Sequence, residues 1–353
     1  MYLPHRIIPS KIRYKLLYLW KFIKSFSLSK GFNFIKNSIE YKGLAPRVKS
    51  RPPQIVIDIT NLCNLACPLC PTGTDRINRR KGIMDIDFFA KVLDSIKDKS
   101  LAVHLYNWGE PLLVKNFVQF CRLARQKGLV VSTSSNLCVR LSQTMAADII
   151  DSGLDRLIVS LDGLSESTYL KYRIKGNYGL VLENLKLLIA IKKSKRSVYP
   201  LIVIQLVRHK GNDADSRSLG RFARVTGADS WQVVDTLLPF GSGDDRDGIN
   251  EWITSDRLSG DFAKFDIRQY ELGKPCTHLW KYPVINHDGA ISPCCYVFDT
   301  RDDLGTLADS DFGAAWNSAK YIAARNLFAG KHTSLPLPCH SCTLYHAYLR
   351  RSQ

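Results

Sequence analysis

From residue 54 to about 237 the sequence alternates short β-branched runs with amphipathic helical stretches, and nothing else in it constrains the fold as tightly. Strand-like runs fall at Ile55–Ile59, Ala102–Tyr106, Val130–Ser134, Leu157–Leu161, Leu201–Val207 and Trp231–Asp235. Helical patterns lie between them, at Asp85–Lys97, Asn116–Lys127, Ser142–Ser152, Tyr178–Lys195 and Asp213–Thr226. Gly128, Gly153 and Gly227 stand where helices should stop. Repeated strand–helix units specify a parallel sheet with helices outside it, here with too few strands to close an eight-stranded barrel. Such α/β sheets place their chemistry at the C-terminal ends of the strands, so the residues just after each strand matter most.

After the first strand comes Cys63-Asn64-Leu65-Ala66-Cys67-Pro68-Leu69-Cys70. This CxxxCxxC spacing offers three thiolates, one too few to close a four-iron cluster. One iron would keep an open position, able to bind and reduce a small molecule. Zinc ribbons usually pair two CxxC knuckles, so this loop is unusual for zinc, yet the residues alone leave a zinc or structural site open. After the second strand comes Asn107-Trp108-Gly109-Glu110-Pro111, after the third Ser134-Ser135-Asn136, and after the fourth Ser160-Leu161-Asp162-Gly163.

Taken together, these segments resemble the radical S-adenosylmethionine (SAM) superfamily. The resemblance implies a partial (β/α)6 TIM-like barrel and a [4Fe-4S] cluster on Cys63, Cys67 and Cys70, whose fourth iron is chelated by SAM. In that family one electron from the cluster cleaves the sulfonium, and the resulting 5′-deoxyadenosyl radical abstracts hydrogen from substrate. Trp108, Gly109, Glu110 and Pro111 resemble the GGEP motif, with Trp108 replacing the first glycine, and would meet the SAM amino group. Ser134 and Asn136 match a TNG-like turn near the ribose. Ser160, Asp162 and Arg173 resemble the S-x-D-G segment and its continuation, Ser160 and Arg173 facing the SAM carboxylate. Gln205, on the fifth strand, is a further inward-pointing candidate. Leu69 stands where many relatives carry an aromatic residue.

The C-terminal third holds a second group, Cys276, Cys294, Cys339 and Cys342. Gly289 precedes Cys294 by five residues, at a hairpin whose turn carries Asp288-Gly289. This resembles the SPASM/Twitch extension, in the short form that holds one fully ligated auxiliary [4Fe-4S] cluster. A zinc ribbon is the alternative. Cys295 is a candidate substitute ligand or reactive thiol, while Cys121 and Cys138 read as buried hydrophobes. The histidines near this group, His278, His287, His332, His340 and His346, read as structural or exposed.

The net charge of +18 is uneven, because residues 1–51 hold twelve Lys/Arg against the single Glu40. This head reads as one or two helices in which Leu16, Leu17, Leu19, Trp20, Phe22, Ile23 and Phe26 alternate with lysines. Two readings stand: a helix at the surface of an anionic membrane, or one packed on the barrel with solvated lysines. Nucleic acid is not expected, since no RNA- or DNA-binding motif accompanies the charge. No apolar run approaches the roughly 20 residues of a membrane span, and no signal peptide is evident, so a cytoplasmic protein is expected, with peripheral membrane contact open. The expected organisation is a head over 1–51, a barrel over 52–240, a linker over 241–270 and an auxiliary-cluster domain over 271–353.

A fully ligated auxiliary cluster favours net two-electron oxidation of a sugar, cyclitol or lipid-linked alcohol, with a flavodoxin- or ferredoxin-type electron donor. Peptide modification, radical epimerisation and a non-enzymatic iron–sulfur or zinc protein are the alternatives. No sequence feature identifies a general base.

Overall fold

The computed structural model describes residues 10–235, 252, 274–308 and 310–352. The linker expected over 241–270 lies outside them, apart from Trp252. All six expected strands form: β1 (Gln54–Ile57), β2 (Ala102–His104), β3 (Val130–Ser135), β4 (Arg156–Ser160), β5 (Leu201–Arg208) and β6 (Ser230–Asp235). Each pairs in parallel with its sequence neighbour. The helices between them are α3 (Ile86–Ile96), α4 (Phe117–Gln126), α5 (Gln143–Ile150), a short α6 (Glu166–Tyr172), α7 (Tyr178–Ser194) and α8 (Asp213–Thr226), following α1 (Ser10–Ser25) and α2 (Leu28–Lys42) in the head. Several begin one residue later than the periodicity suggests, because Asp85 and Ser142 are N-caps whose side chains accept amide hydrogens of the first turn. Gly128, Gly153 and Gly227 terminate helices with positive φ, as expected.

Strand parity divides the barrel into two chemistries. Ile55, Ile57, Val103, Val131, Leu157, Val159, Ile202 and Ile204 face the helices and are buried in one apolar core. The alternate positions turn inward and are largely polar. His104 sits between the Gln54 side chain at 2.8 Å and Ser132 Oγ at 2.5 Å. Ser134 Oγ and Ser160 Oγ lie 3.0 Å apart, and Gln232 Nε2 donates to Gln205 Oε1. Gln205 is therefore inward-pointing, in register with Ser160.

The C-terminal segment comprises α9 (His278–Lys281), β7 (Val284–Ile285), β8 (Ala290–Ser292), β9 (Gly305–Thr306), α10 (Phe312–Trp316), α11 (Ala319–Phe328) and α12 (Thr343–Ser352). Its hairpin does not form a sheet of its own. β7 pairs in parallel with β1, giving one nine-stranded sheet ordered β6-β5-β4-β3-β2-β1-β7-β8-β9. β1 therefore carries the first cysteine loop while standing between the barrel and the second cysteine group.

The head lies across the N-terminal end of the barrel. Its helices touch the residues just before, or at the start of, every barrel strand. Asn33 bonds the Arg51 and Lys99 carbonyls, and Lys30 that of Gly128. Lys21 pairs with Asp155 at 2.6 Å and stacks over Tyr199, and Lys11 stacks over Trp231. Among the described residues no helix is long and apolar enough to cross a membrane.

Candidate active site: two cysteine groups

The first cysteine loop leaves β1 at its C-terminal end and is fixed by short-range bonds. The Thr60 hydroxyl donates to the Gly82 carbonyl, and Asn64 Nδ2 to the Cys138 carbonyl at 2.7 Å. The loop folds so tightly that a Cβ on Gly73 would lie 2.5 Å from the Cys67 backbone. Cys67 is buried, with Cys63 and Cys70 half-buried. Burial pushes the Cys63 thiol up to about 12 and Cys67 up to about 11.

Polar groups aim at these sulfurs. Asn136 Nδ2 lies 3.8 Å from Cys63 Sγ, and Arg173 Nη1 lies 3.7 Å from Cys67 Sγ. Arg173 also pairs with the buried Asp162 at 2.5 Å, Asp162 having φ +58°. Burial works against the Arg173 charge, but Asp162 and Cys67 outweigh it and hold its pKa above the ordinary value. Arg173 thus pairs with Asp162 while its buried Nε has no hydrogen-bond partner among the described residues.

The Trp108–Pro111 segment packs against this loop, and its side chains hold the neighbouring loops together. Gly109 is obligatory because a Cβ there would lie 1.9 Å from the Thr60 carbonyl oxygen. Glu110 is buried, and its carboxylate accepts from Leu112 N, Ser135 Oγ and Asn136 N, at 3.0, 2.7 and 2.6 Å. It ties the β2 loop to the β3 loop, and these bonds hold Asn136 beside Cys63. Pro111 opens the short turn that follows. The Trp108 carbonyl accepts from Thr72 Oγ1 at 2.8 Å, while its indole turns away towards Val297.

The second group assembles from three places. Cys276 precedes α9, Cys294 follows β8, and Cys339 and Cys342 flank the tight turn before α12. Burial raises all four thiols, Cys276 to about 12, with Cys276 and Cys342 each raising Cys294 and Cys339 further. The four therefore share one neighbourhood. Cys295, pushed by burial to about 11, also lies close enough to Tyr106 at the end of β2 to raise its pKa.

The donor set suits iron–sulfur groups. Cys63, Cys276, Cys294 and Cys342 each face the backbone N–H two residues ahead, on Leu65, His278, Tyr296 and Leu344. Amides aimed at sulfur stabilise thiolates and tune clusters. Buried thiols with raised pKa ionise only against a strong positive charge, which a metal group supplies. Among the described residues no three His, Cys, Asp or Glu side chains converge tightly enough for one metal ion.

Three contributors escape sequence reasoning. Asp58, buried just after β1, accepts from Trp108 N at 3.2 Å, and burial lifts its carboxyl to about 7. Arg79, buried in the segment after the cysteine loop, pairs with Asp288 and Asp303 of the hairpin at 2.5 and 2.6 Å. His209, just after β5, stacks on Tyr172, and its buried Nε2 has no hydrogen-bond partner among the described residues. Only Asp58 had a signal, a carboxylate in an otherwise apolar strand.

Comparison with known proteins agrees with this geometry. The Radical SAM superfamily model matches residues 57–206, and that of the iron–sulfur cluster-binding SPASM domain residues 276–343. The chain is 24% identical over 317 residues, 82% of its own length and 87% of the relative's, to the tungsten-containing aldehyde ferredoxin oxidoreductase cofactor-modifying protein of Pyrococcus furiosus. It is 23% identical to GTP 3′,8-cyclase of Rhizobium leguminosarum, over 69% of this chain and 68% of that one. Of solved structures, SuiB of Streptococcus suis bound to S-adenosylmethionine shares the fold with a TM-score of 0.62 at 15% identity, over 88% of this chain and 75% of that one. The anSMEcpe structure with bound AdoMet gives 0.56 at 16% identity, over 83% and 87%. With both domains matched in the places where the two cysteine groups stand, the chain belongs to the radical SAM superfamily and carries a C-terminal SPASM-type iron–sulfur domain.

Proposed function

We propose that this chain cleaves SAM reductively and uses the product to remove hydrogen from a substrate carbon, with net two-electron oxidation of a sugar- or cyclitol-type alcohol. The radical SAM domain implies a [4Fe-4S] cluster and SAM, and the SPASM domain implies auxiliary iron–sulfur. Cys63, Cys67 and Cys70 would hold the first group, and Cys276, Cys294, Cys339 and Cys342 the second. When bound, a cluster with one open iron supplies reductive SAM cleavage, and one held by four thiolates supplies an electron sink. The observation that carries the oxidation reading is that inequality of three thiols against four.

The chain's own residues do the rest. Arg173 places positive charge beside Cys67, and Asn136 donates towards Cys63. Ser134, Ser160 and Gln205 line the polar inner face at the strand ends, where hydroxyl and amide groups suit a ribose or a polyol. The lipid-linked version of the substrate is less well served, because the head lies at the opposite end of the strands from the first cysteine loop. A cytoplasmic chain served by a flavodoxin- or ferredoxin-type donor completes the proposal.

The test is anaerobic reconstitution, iron and sulfide analysis, and a 5′-deoxyadenosine assay with dithionite and SAM. About eight irons per chain, together with deoxyadenosine, is the expected result. Zinc without cleavage would overturn the proposal. With a deuterated polyol, oxidation leaves label in deoxyadenosine and a ketone in the product. Solvent hydrogen at the original carbon would mean epimerisation, and a mass change in an added peptide would mean peptide modification.

A further inference from the structure

Helix α2 is built inside out. Its polar residues Lys30, Asn33 and Asn37 are 5%, 6% and 1% exposed, while Leu28, Phe32, Ile35 and Ile39 on the opposite face are 84%, 71%, 57% and 66% exposed. The inward face is a set of specific bonds. Lys30 Nζ reaches the Gly128 carbonyl, Asn33 Nδ2 those of Arg51 and Lys99, and Asn37 Nδ2 that of Trp280. These bonds fix the rotation of the helix, so the apolar stripe cannot turn inward without stranding buried polar groups.

Helix α1 repeats the pattern. Ile12, Leu16, Leu19 and Ile23 are exposed at the same i, i+4, i+7, i+11 spacing, with Trp20 beside them. Tyr14, by contrast, hydrogen-bonds Arg156 at the barrel floor. Two parallel requirements, an anchored polar or aromatic face and an unpaired apolar one, are met on consecutive helices. Lys11, Lys15, Lys24 and Lys36 are exposed around the stripes. Glu40, the head's acidic residue, is turned inward onto the Lys49 and Ser50 amides.

We propose that α1 and α2 form a platform that lies in the headgroup layer of an anionic bilayer, with the strand ends that carry the first cysteine loop pointing away from the membrane. Exposed Trp, Phe, Leu and Ile ringed by lysines match the chemistry of such a surface. Charge argues against a second copy as the occupant, because docking face to face would set lysines against lysines without an intervening carboxylate. The orientation follows from the fold, since the platform underlies the N-terminal ends of the strands and the first cysteine loop follows the other end of β1. The membrane would serve to locate the enzyme, not to present its substrate.

The experiment sediments the full-length reconstituted protein with phosphatidylcholine vesicles containing phosphatidylglycerol, and with phosphatidylcholine alone. Binding to the anionic vesicles is expected, weakening roughly tenfold or more without the anionic lipid or at high salt. Replacing Leu28, Phe32, Ile35 and Ile39 together by serine should weaken it at least about tenfold, with deoxyadenosine formation unchanged. These side chains are outside the core, and unaltered circular dichroism would show that the variant folds. Lys15→Gln, Lys24→Gln and Lys36→Gln combined should reduce the salt dependence. Failure of the wild type to sediment with anionic vesicles at low salt would overturn the proposal, as would vesicle binding indifferent to the serine changes. A solution dimer abolished by those serines, without vesicle binding, would assign the face to a second copy instead. These readouts do not depend on SAM chemistry.

Discussion

The indole Nε1 of Trp108 donates to the carbonyl of Val297 at 3.0 Å, linking the loop after β2 to the turn that follows Cys294. Trp108 N meanwhile binds Asp58, just upstream of the first cysteine loop, and its carbonyl accepts from Thr72 just downstream. One residue therefore ties both cysteine groups together. Trp108→Phe should keep most of the packing but strand the Val297 carbonyl, costing about 1 kcal/mol. Trp108→Ala should cost about 2 kcal/mol or more and loosen the C-terminal segment. Urea unfolding together with limited proteolysis would check this, and equal behaviour of both variants and wild type would refute the tie.

The six strands and their helices were legible because burial on the helix-facing side of a parallel sheet writes apolar runs into the sequence, and glycine stops write the helix ends. Both cysteine groups were legible because closely spaced cysteines on tight loops stand out in the sequence. The attachment of β7 to β1 was not, since pairing across more than 200 residues leaves no local trace. Nor was the use of Glu110 and Trp108. The motif identifies the residue types, but not the donors that surround Glu110 or the reach of the Trp108 indole to Val297, which depend on where the third strand and the C-terminal segment stand. The inside-out rotation of α2 escaped for a similar reason: an amphipathic pattern shows two faces without saying which is turned inward.

Arg173 and Asp162 are the second dependence to test. Asp162 is buried, so Arg173→Ala leaves an uncompensated charge beside Cys67 and should destabilise the fold by about 3–5 kcal/mol. Combining it with Asp162→Asn should recover much of that loss. A double-mutant cycle with no coupling would remove the pair from the account. In the reconstituted protein, the double variant should still shift the electron paramagnetic resonance signal of the first cluster, because the positive charge near Cys67 is gone.

Asp58 makes stability depend on pH. Burial holds its carboxyl at about 7, against the pull of the Trp108 and Gly109 amides, whereas an unfolded aspartate titrates near about 4. Between these values the folded chain keeps a proton that the unfolded chain has released. The Asp58 contribution to stability therefore falls as pH rises through that window and is constant above it. Asp58→Asn cannot titrate. The wild-type unfolding free energy minus that of the variant should decline by about a few kcal/mol between about pH 4 and 7. A flat difference would show that Asp58 ionises normally.

The two cysteine groups should separate kinetically. Cys67→Ala should abolish SAM cleavage, while Cys276→Ala or Cys342→Ala should spare uncoupled deoxyadenosine formation and stop oxidised product. Substantial cleavage by the Cys67 variant would sink the assignment of the first site. Product formation by the Cys276 variant would deny the second group its role as electron acceptor.

The sharpest steric prediction concerns Gly109. A Cβ there would sit 1.9 Å from the Thr60 carbonyl oxygen and 2.9 Å from its Cγ2. Both belong to the segment leading into the cysteine loop, whose bonds to Gly82 and Glu110 leave it little room to retreat. Gly109→Ala must push the β2 loop off that segment, disturbing the Asp58 and Thr72 contacts of Trp108 together. Gly330 offers the control: it has φ +72° but open space around its Cβ position, so alanine there should cost only about 1 kcal/mol of backbone strain. Gly109→Ala is expected to lose several-fold more stability than Gly330→Ala and to take up iron poorly at the first site. Iron content and thermal melting measured side by side decide it. Equal losses in the two variants would mean that the approach of Gly109 to Thr60 is not what holds the loop in place.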